Sequence, residues 1–278
     1  MIRCIDREKY FGILIAFLSV LFFGLFFCAG GYAQQKIEDF YLSNYKEGGD
    51  KEWEVKGEEA VVSDKYVEIN DMNAKYFNKD DIIDIKADRA KLNKKSMDAY
   101  LNKNVYIKSE KGIEIGTDVL NWEQSKNRVS TDTTVEVKKE NSFKVKAKGV
   151  DADTKLNKVR FKKEVKVDLF NKDNVININC DGPLEIDYRE GKAVFNNNVV
   201  VDNVQGKMIA NKATVYFDAK NSQVEKVVAE GDVKVVRDDN VTFAEKAVYS
   251  QKEQKIILEG RPRLVIFPKG GSKSLFGK

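Results

Sequence analysis

Between residues 55 and 247 one short pattern recurs seven times: an apolar residue, a spacer, a small residue, two spacers, then another small or apolar residue. The copies are Val55-x-Gly57-x-x-Ala60, Ile85-x-Ala87-x-x-Ala90, Ile115-x-Thr117-x-x-Leu120, Val145-x-Ala147-x-x-Val150, Ile178-x-Cys180-x-x-Pro183, Met208-x-Ala210-x-x-Ala213 and Thr242-x-Ala244-x-x-Ala247. Their central small residues lie 30, 30, 30, 33, 30 and 34 positions apart. A fixed period of this size marks a repeat architecture, in which each unit buries its apolar face against its neighbours.

The segments between the copies alternate with period two, as in Val135-Glu136-Val137-Lys138, Phe143-Lys144-Val145-Lys146 and Val165-Lys166-Val167-Asp168. Alternation sends apolar side chains to one face and charged ones to the other, so the chain reads as all-β from residue 37 onward. Asn102-Lys103-Asn104, Lys220-Asn221-Ser222 and Asp238-Asp239-Asn240 read as turns. Within the motif, small-x-x-small breaks the two-residue parity. A step of three keeps both residues inside only if the strand bulges or bends, which predicts a corner in every repeat. Stacked units of about 30 residues then give two facing antiparallel sheets with apolar inner walls, and a stack leaves an unpaired strand at each end. Gly182-Pro183 makes the fifth copy the least strand-like.

Composition removes several function classes. The 278 residues contain no histidine, so the usual general base and the commonest metal ligand are missing. Three cysteines make no paired framework, and Cys180 fills a small-residue slot as a structural thiol. The Asp80-Asp81 and Asp151/Asp153 pairs lack calcium-loop spacing. No enzyme, cofactor or metal is expected. A net charge of +4, drawn from charges of both signs, excludes a nucleic-acid stripe. Residues 11–31 are uncharged and follow Arg3, Arg7 and Lys9. That length spans a bilayer as a single helix with its amino terminus in the cytoplasm. Gly31-Tyr32-Ala33 also fits a cleavage site, so residues 1–33 are a membrane anchor or a signal peptide, and the rest is exported. Residues 269–278 read as a flexible tail.

Two stretches carry a family resemblance. Gly112 to Trp122, Arg128 to Val137 and Gly149 to Asp153, with Trp53 to Ala60 upstream, resemble the LptC family, the membrane-anchored component of lipopolysaccharide export. Ala229 to Val235, Ala244 to Tyr249 and Ile257 to Leu264 resemble the LptA (OstA-like) domain. The resemblance divides the exported part into an LptC-like β-jellyroll over 37–170 and an LptA-like one over 175–268. It implies an open, twisted β-jellyroll that carries lipid A acyl chains in an apolar groove, without catalysis. The implied partners are lipopolysaccharide, an ATP-driven extractor in the inner membrane, and a periplasmic LptA-like bridge protein or another copy of this chain. The implied location is the inner membrane, with most of the chain in the periplasm.

Inward parity nominates Trp122, Val135, Val137, Phe143, Val145, Val165 and Val167 as groove residues, although alternating apolar residues more often only fill a core. Lys144, Lys146 and Lys148 have the opposite parity and read as a solvated outer face. Leu264, Val265, Ile266 and Phe267 form an apolar terminal strand suited to pairing with a partner's edge. The rival function is a structural or adhesive β-solenoid with no lipid ligand.

Overall fold

The computed structural model describes residues 35–266 except 47, 79–80, 154–156, 172–173, 205, 219–222, 238–239 and 254. The apolar segment 11–31, the tail 269–278 and Phe267 lie outside the described residues. Among those described, no helix is long and apolar enough to cross a membrane.

Seventeen strands follow one another: β1 (Gln35–Tyr45), β2 (Lys51–Val62), β3 (Tyr66–Asn78), β4 (Asp81–Asn93), β5 (Ala99–Ser109), β6 (Ile113–Glu123), β7 (Arg128–Lys139), β8 (Phe143–Asp153), β9 (Lys158–Asn171), β10 (Asn174–Cys180), β11 (Leu184–Asp187), β12 (Lys192–Asn203), β13 (Gly206–Phe217), β14 (Val224–Arg237), β15 (Asn240–Ser250), β16 (Lys255–Glu259) and β17 (Arg263–Ile266). All belong to one sheet. From β1 to β9 each strand pairs antiparallel with the next. β10 and β11 together form the next line of the ladder, lying between β9 and β12, and Gly182-Pro183 separates them. The meander then continues through β13, β14 and β15, and β16 and β17 both pair with β15.

The expected two sheets are therefore one. From β4 onward the hydrogen-bond ladder runs through most corners because they are bulges rather than breaks, whereas Gly57–Ala60 passes with no slip in register and Gly182-Pro183 interrupts the strand. Register slips between Lys86 and Arg89, Thr117 and Asn121, Lys146 and Lys148, and Ile209 and Lys212. These slips fall on the small-x-x-small steps. They are accompanied by left-handed backbone at Lys103, Asn104, Glu164, Asn197, Asn198 and Asp232. Burial changes parity at the same place. In β4, Ile83, Ile85 and Ala87 are buried, and then Ala90 and Leu92. Asn102-Lys103-Asn104, expected as a turn, instead lies within β5. Asparagine tolerates positive φ, so there it makes a bulge and the strand carries on.

Small residues sit on this bulge row because backbones and side chains crowd there. A Cβ on Gly57 would lie 2.5 Å from the Phe40 ring and 2.8 Å from Ile69 Cγ2. Three buried clusters line the inner face in succession. The first runs from Phe40 to Val129 and includes Trp53, Met72, Tyr76 and Trp122. The second runs from Val135 to Ala213 and includes Phe161, Leu184 and Phe195. The third comprises Ala210, Ala229, Val233 and Ala247.

Candidate functional site

The first residue of each motif copy and its cross-strand partners assemble into one row. Starting at the amino-terminal edge, Leu42 pairs with Val55, Val55 with Ala74, Ala74 with Ile85, and Ile85 with Ile107. The row continues through Ile115, Val137, Val145, Val167 and Ile178. It then passes through Val201, Met208, Val235 and Thr242 to Leu264 on β17. Only Thr242 carries a polar atom in its side chain.

A second row lies on the other side of the bulges. Ile37, Ala60, Ile69, Ala90, Leu101 and Leu120 pair in order. After a gap at the β6–β7 bulge, Thr131, Val150, Phe161, Leu184, Phe195, Ala213, Ala229, Ala247 and Leu258 pair in order. The gap is spanned by hydroxyls: Thr133 Oγ1 lies 2.9 Å from both Thr117 Oγ1 and Thr131 Oγ1. The first two buried clusters draw on both rows, so the rows wall a common interior.

The nominated residues divide over this geometry. Val137, Val145 and Val167 belong to the first row, Val135 and Val165 to the bulge line beside it, and Phe143 lies one step outward, opposite Leu169. All except Val137 and Phe143 are buried. Trp122 is not with them. It pairs with Ala99 and Val129 beyond the second row, belongs to the first cluster, and is only 2% exposed. An indentation of about 200 Å³ opens beside it, lined also by Tyr66, Lys91, Asn93, Tyr100 and Asn121. Sequence reasoning missed Ile115, Ile178, Val201, Met208 and Val235, which continue the first row. The signal was present, because Ile115, Ile178 and Met208 each open a motif copy.

The outer face is ionic. Cross-strand pairs join Lys75 to Asp84 at 3.3 Å, Lys91 to Glu68 at 2.6 Å, Lys158 to Asp187 at 3.3 Å and Arg160 to Glu185 at 3.3 Å. Arg128 Nε donates to both carboxylate oxygens of Asp151 at 2.9 Å, holding that carboxyl below its ordinary range. Asp81 is buried and accepts the Ser109 hydroxyl at 2.6 Å, so it is spent on a structural bond. Cys180 is buried, and desolvation pushes its thiol up. Among the described residues no group of His, Cys, Asp or Glu is arranged to hold a metal ion.

The two ends of the sheet are open. Among the described residues β1 pairs only with β2, and β16 and β17 pair only with β15. The carboxyl-terminal edge is the more apolar: Ile256, Ile257, Leu264 and Ile266 are each more than half exposed.

Residues 33–169 match the family described as lipopolysaccharide-assembly, LptC-related. Residues 177–278 match the LptA/(LptD N-terminal domain) lipopolysaccharide transport protein family. Comparison with curated proteins finds no match. Among solved structures, the chain is similar to LptH, the LptA homologous periplasmic component of the lipopolysaccharide transport device from Pseudomonas aeruginosa. Identity is 16%, with 57% of this chain and 97% of that one covered and a TM-score of 0.25. The chain joins an LptC-related segment to an LptA/LptD N-terminal segment in one polypeptide.

Proposed function

We propose that this protein is a non-enzymatic lipid carrier of the lipopolysaccharide transport bridge, moving lipid along the inner face of its sheet. The observation that carries the reading is the first row, which runs from Leu42 at one edge to Leu264 at the other and is apolar except at Thr242. A dry core needs buried residues but not an apolar lane that reaches both open edges. An acyl chain sliding along the lane would exchange one apolar contact for the next, with the Thr242 hydroxyl as the one polar group in the row.

In this reading residues 1–33 anchor the chain in the inner membrane, and the body lies in the periplasm as an open jellyroll whose arms meet at the bulge row. Module 37–170 takes lipid from an ATP-driven extractor, and module 175–268 passes it on. The β16–β17 edge adds its free strand to a further LptA-like protein or to another copy of this chain. Leu264 closes the row and stands on that edge, so the lane would continue into the partner.

Photocrosslinking in cells tests the proposal. A photoreactive residue at Val137, Val201 or Val235 should label lipopolysaccharide, and one at the outward Lys86 or Lys212 should not. Equal labelling from both faces would remove the interior as the path.

A further inference from the structure

Three hydroxyls interrupt an interior that is otherwise apolar. The first buried cluster ends at Val129 and the second begins at Val135, and Thr131 and Thr133 lie between them on β7. Thr117 meets them from β6. It pairs with Val105 on one side and Val135 on the other, one from each cluster, so it shares the interior that the two apolar rows wall. Thr131 is 1% exposed and Thr117 is also buried, while Thr133 is half-buried. The motif itself does not call for a hydroxyl, because the other six copies fill the Thr117 position with glycine, alanine or cysteine.

The protons of the three hydroxyls are all committed within the protein. Each threonine hydroxyl has one proton to give and two lone pairs with which to receive. Thr117 Oγ1 gives its proton to the Val119 carbonyl at 3.2 Å. In its 2.9 Å contact with Thr133 it must therefore accept, which commits the Thr133 proton. In the second 2.9 Å contact Thr133 Oγ1 must then accept, which commits the Thr131 proton. Thr131 Oγ1 accepts in turn from the Thr133 backbone N–H at 3.1 Å. Each oxygen has thus received one bond and keeps one lone pair. A cluster in this state has nothing to donate, so a ligand carbonyl, ester or ether oxygen gains nothing from it. A ligand O–H gains an acceptor.

We propose that this threonine triad recognises a hydroxyl carried on a lipid acyl chain, a reading that rests on the lipid-carrier function above. An acyl chain in the first row passes Ile115 and Val137, each two residues along its strand from the Thr117/Val135 pair. Two residues along a strand span about 7 Å, so the triad is the next inward group beside the lane. The first row itself holds one other hydroxyl, on Thr242, far along the ladder on β15. Burying a hydroxyl without a partner is costly, so a hydroxylated chain would dwell where a lone pair receives its proton. An unsubstituted chain would have no preferred stopping point. The triad therefore selects among lipids and sets where the selected one pauses.

Competition on the full chain in membranes tests the proposal. Photoreactive hexadecanoic acid is crosslinked to the chain, and unlabelled hexadecanoic acid, the isomeric hydroxyhexadecanoic acids and their methyl ethers compete. At least one hydroxy isomer should compete about fivefold better than hexadecanoic acid, and its methyl ether, which has no proton to give, should lose that advantage. Thr133→Val leaves the Thr131 proton without its acceptor, so the ether should rise to match the hydroxy isomer while hexadecanoic acid is unchanged. Misfolding cannot raise ether binding. Thr133→Ser keeps the chain of protons and should behave as the wild type. Thr242→Val should leave the order of competitors as it was. Equal competition by all the acids, an ether as good as the hydroxy isomer in the wild type, or an order unchanged by Thr133→Val overturns the triad and leaves the apolar lane standing. Loss of the hydroxyl advantage in Thr242→Val would move recognition to β15 and overturn it too. Failure of every acid to compete or crosslink overturns the carrier reading itself.

Discussion

The same repeat is filled in two different ways at the two ends of the molecule. Around β1–β7 the interior holds Phe40, Trp53, Met72, Tyr76, Ile85, Leu92 and Trp122, all below 9% exposure. Around β13–β16 the buried cluster is three alanines and Val233, bordered by the half-buried Met208, Val235, Ala244 and Leu258. The ladder is continuous in both regions, so the presence of backbone pairing does not separate them. Side-chain volume does. The amino-terminal interior is filled by large side chains, and the carboxyl-terminal one is left thin, ending in a strand whose apolar residues face water. One backbone plan therefore carries a densely filled interior at one end and a sparsely filled one at the other.

The sharpest way to break this comparison is to remove volume from each end. Trp122→Ala should cost about 3–5 kcal/mol, measured by urea denaturation, because a large buried side chain leaves a cavity its neighbours cannot close. Trp122→Phe should cost much less, since the indole Nε1 is buried without a partner in the protein and its loss leaves nothing unpaired. Met208→Ala should cost about 1 kcal/mol or less, yet lower lipid crosslinking from Val235. Equal costs for Trp122→Ala and Met208→Ala would mean that the two interiors are filled alike.

Much of the frame was legible in the sequence. The motif copies mark where the strands bend, and their opening residues mark the first apolar row, because side-chain parity and a three-residue step are local properties. What stayed hidden depended on partners far away in sequence. Trp122 stands apart from the other nominated residues because alternation tells direction but not which row a residue joins, and its row is set by Ala99 and Val129 on the neighbouring strands. Lys103 and Asn104 looked like a turn because left-handed residues serve turns and bulges equally. The Thr117–Thr133 contact was out of reach because it depends on the slip between Thr117 and Asn121, which alternation along one strand does not show.

A smaller effect sharpens the comparison at the edge. Val265 pairs with Val241 at the outer limit of the sheet. Val265→Pro removes a backbone donor from a strand that contributes little buried surface, so Tm should fall by no more than a few degrees. Association with a downstream LptA-like partner, or with a second copy, should be lost in pull-down. The matching change at the packed end, Ile69→Pro, removes a donor between two paired neighbours and should abolish folding. If Val265→Pro folds and still associates, the junction lies at another edge.

The smallest effect concerns charge at the amino-terminal end. Glu58 lies beside Asp71, with Asp39 and Glu59 nearby, and its carboxyl is raised above the ordinary 4.5, chiefly by its hydrogen bond with Asp71 and by that residue's charge. A raised carboxyl holds its proton more tightly in the folded state than in the unfolded one. Its contribution therefore favours folding at low pH and is lost as pH climbs from 4.5 through the folded value. Glu54, lowered mainly by its hydrogen bond from Lys51, and Asp151, lowered by Arg128, act in the opposite sense. Their stabilisation is complete above their ordinary values and drains away as acid protonates them. The amino-terminal end thus carries opposing pH dependences within a few strands, and Glu58 is the one that weakens it at neutral pH. Glu58→Gln should raise Tm slightly at pH 7 and by less at pH 4, because acid favours the protonated carboxyl that the Asp71 contact already prefers. Hydrogen exchange should place the gain in β2 and β3 and leave β13–β15 unaltered, since no shared cluster connects them to Glu58. A wild-type and variant Tm difference that stays constant from pH 4 to 7 would show that the Asp71 contact does not couple to folding.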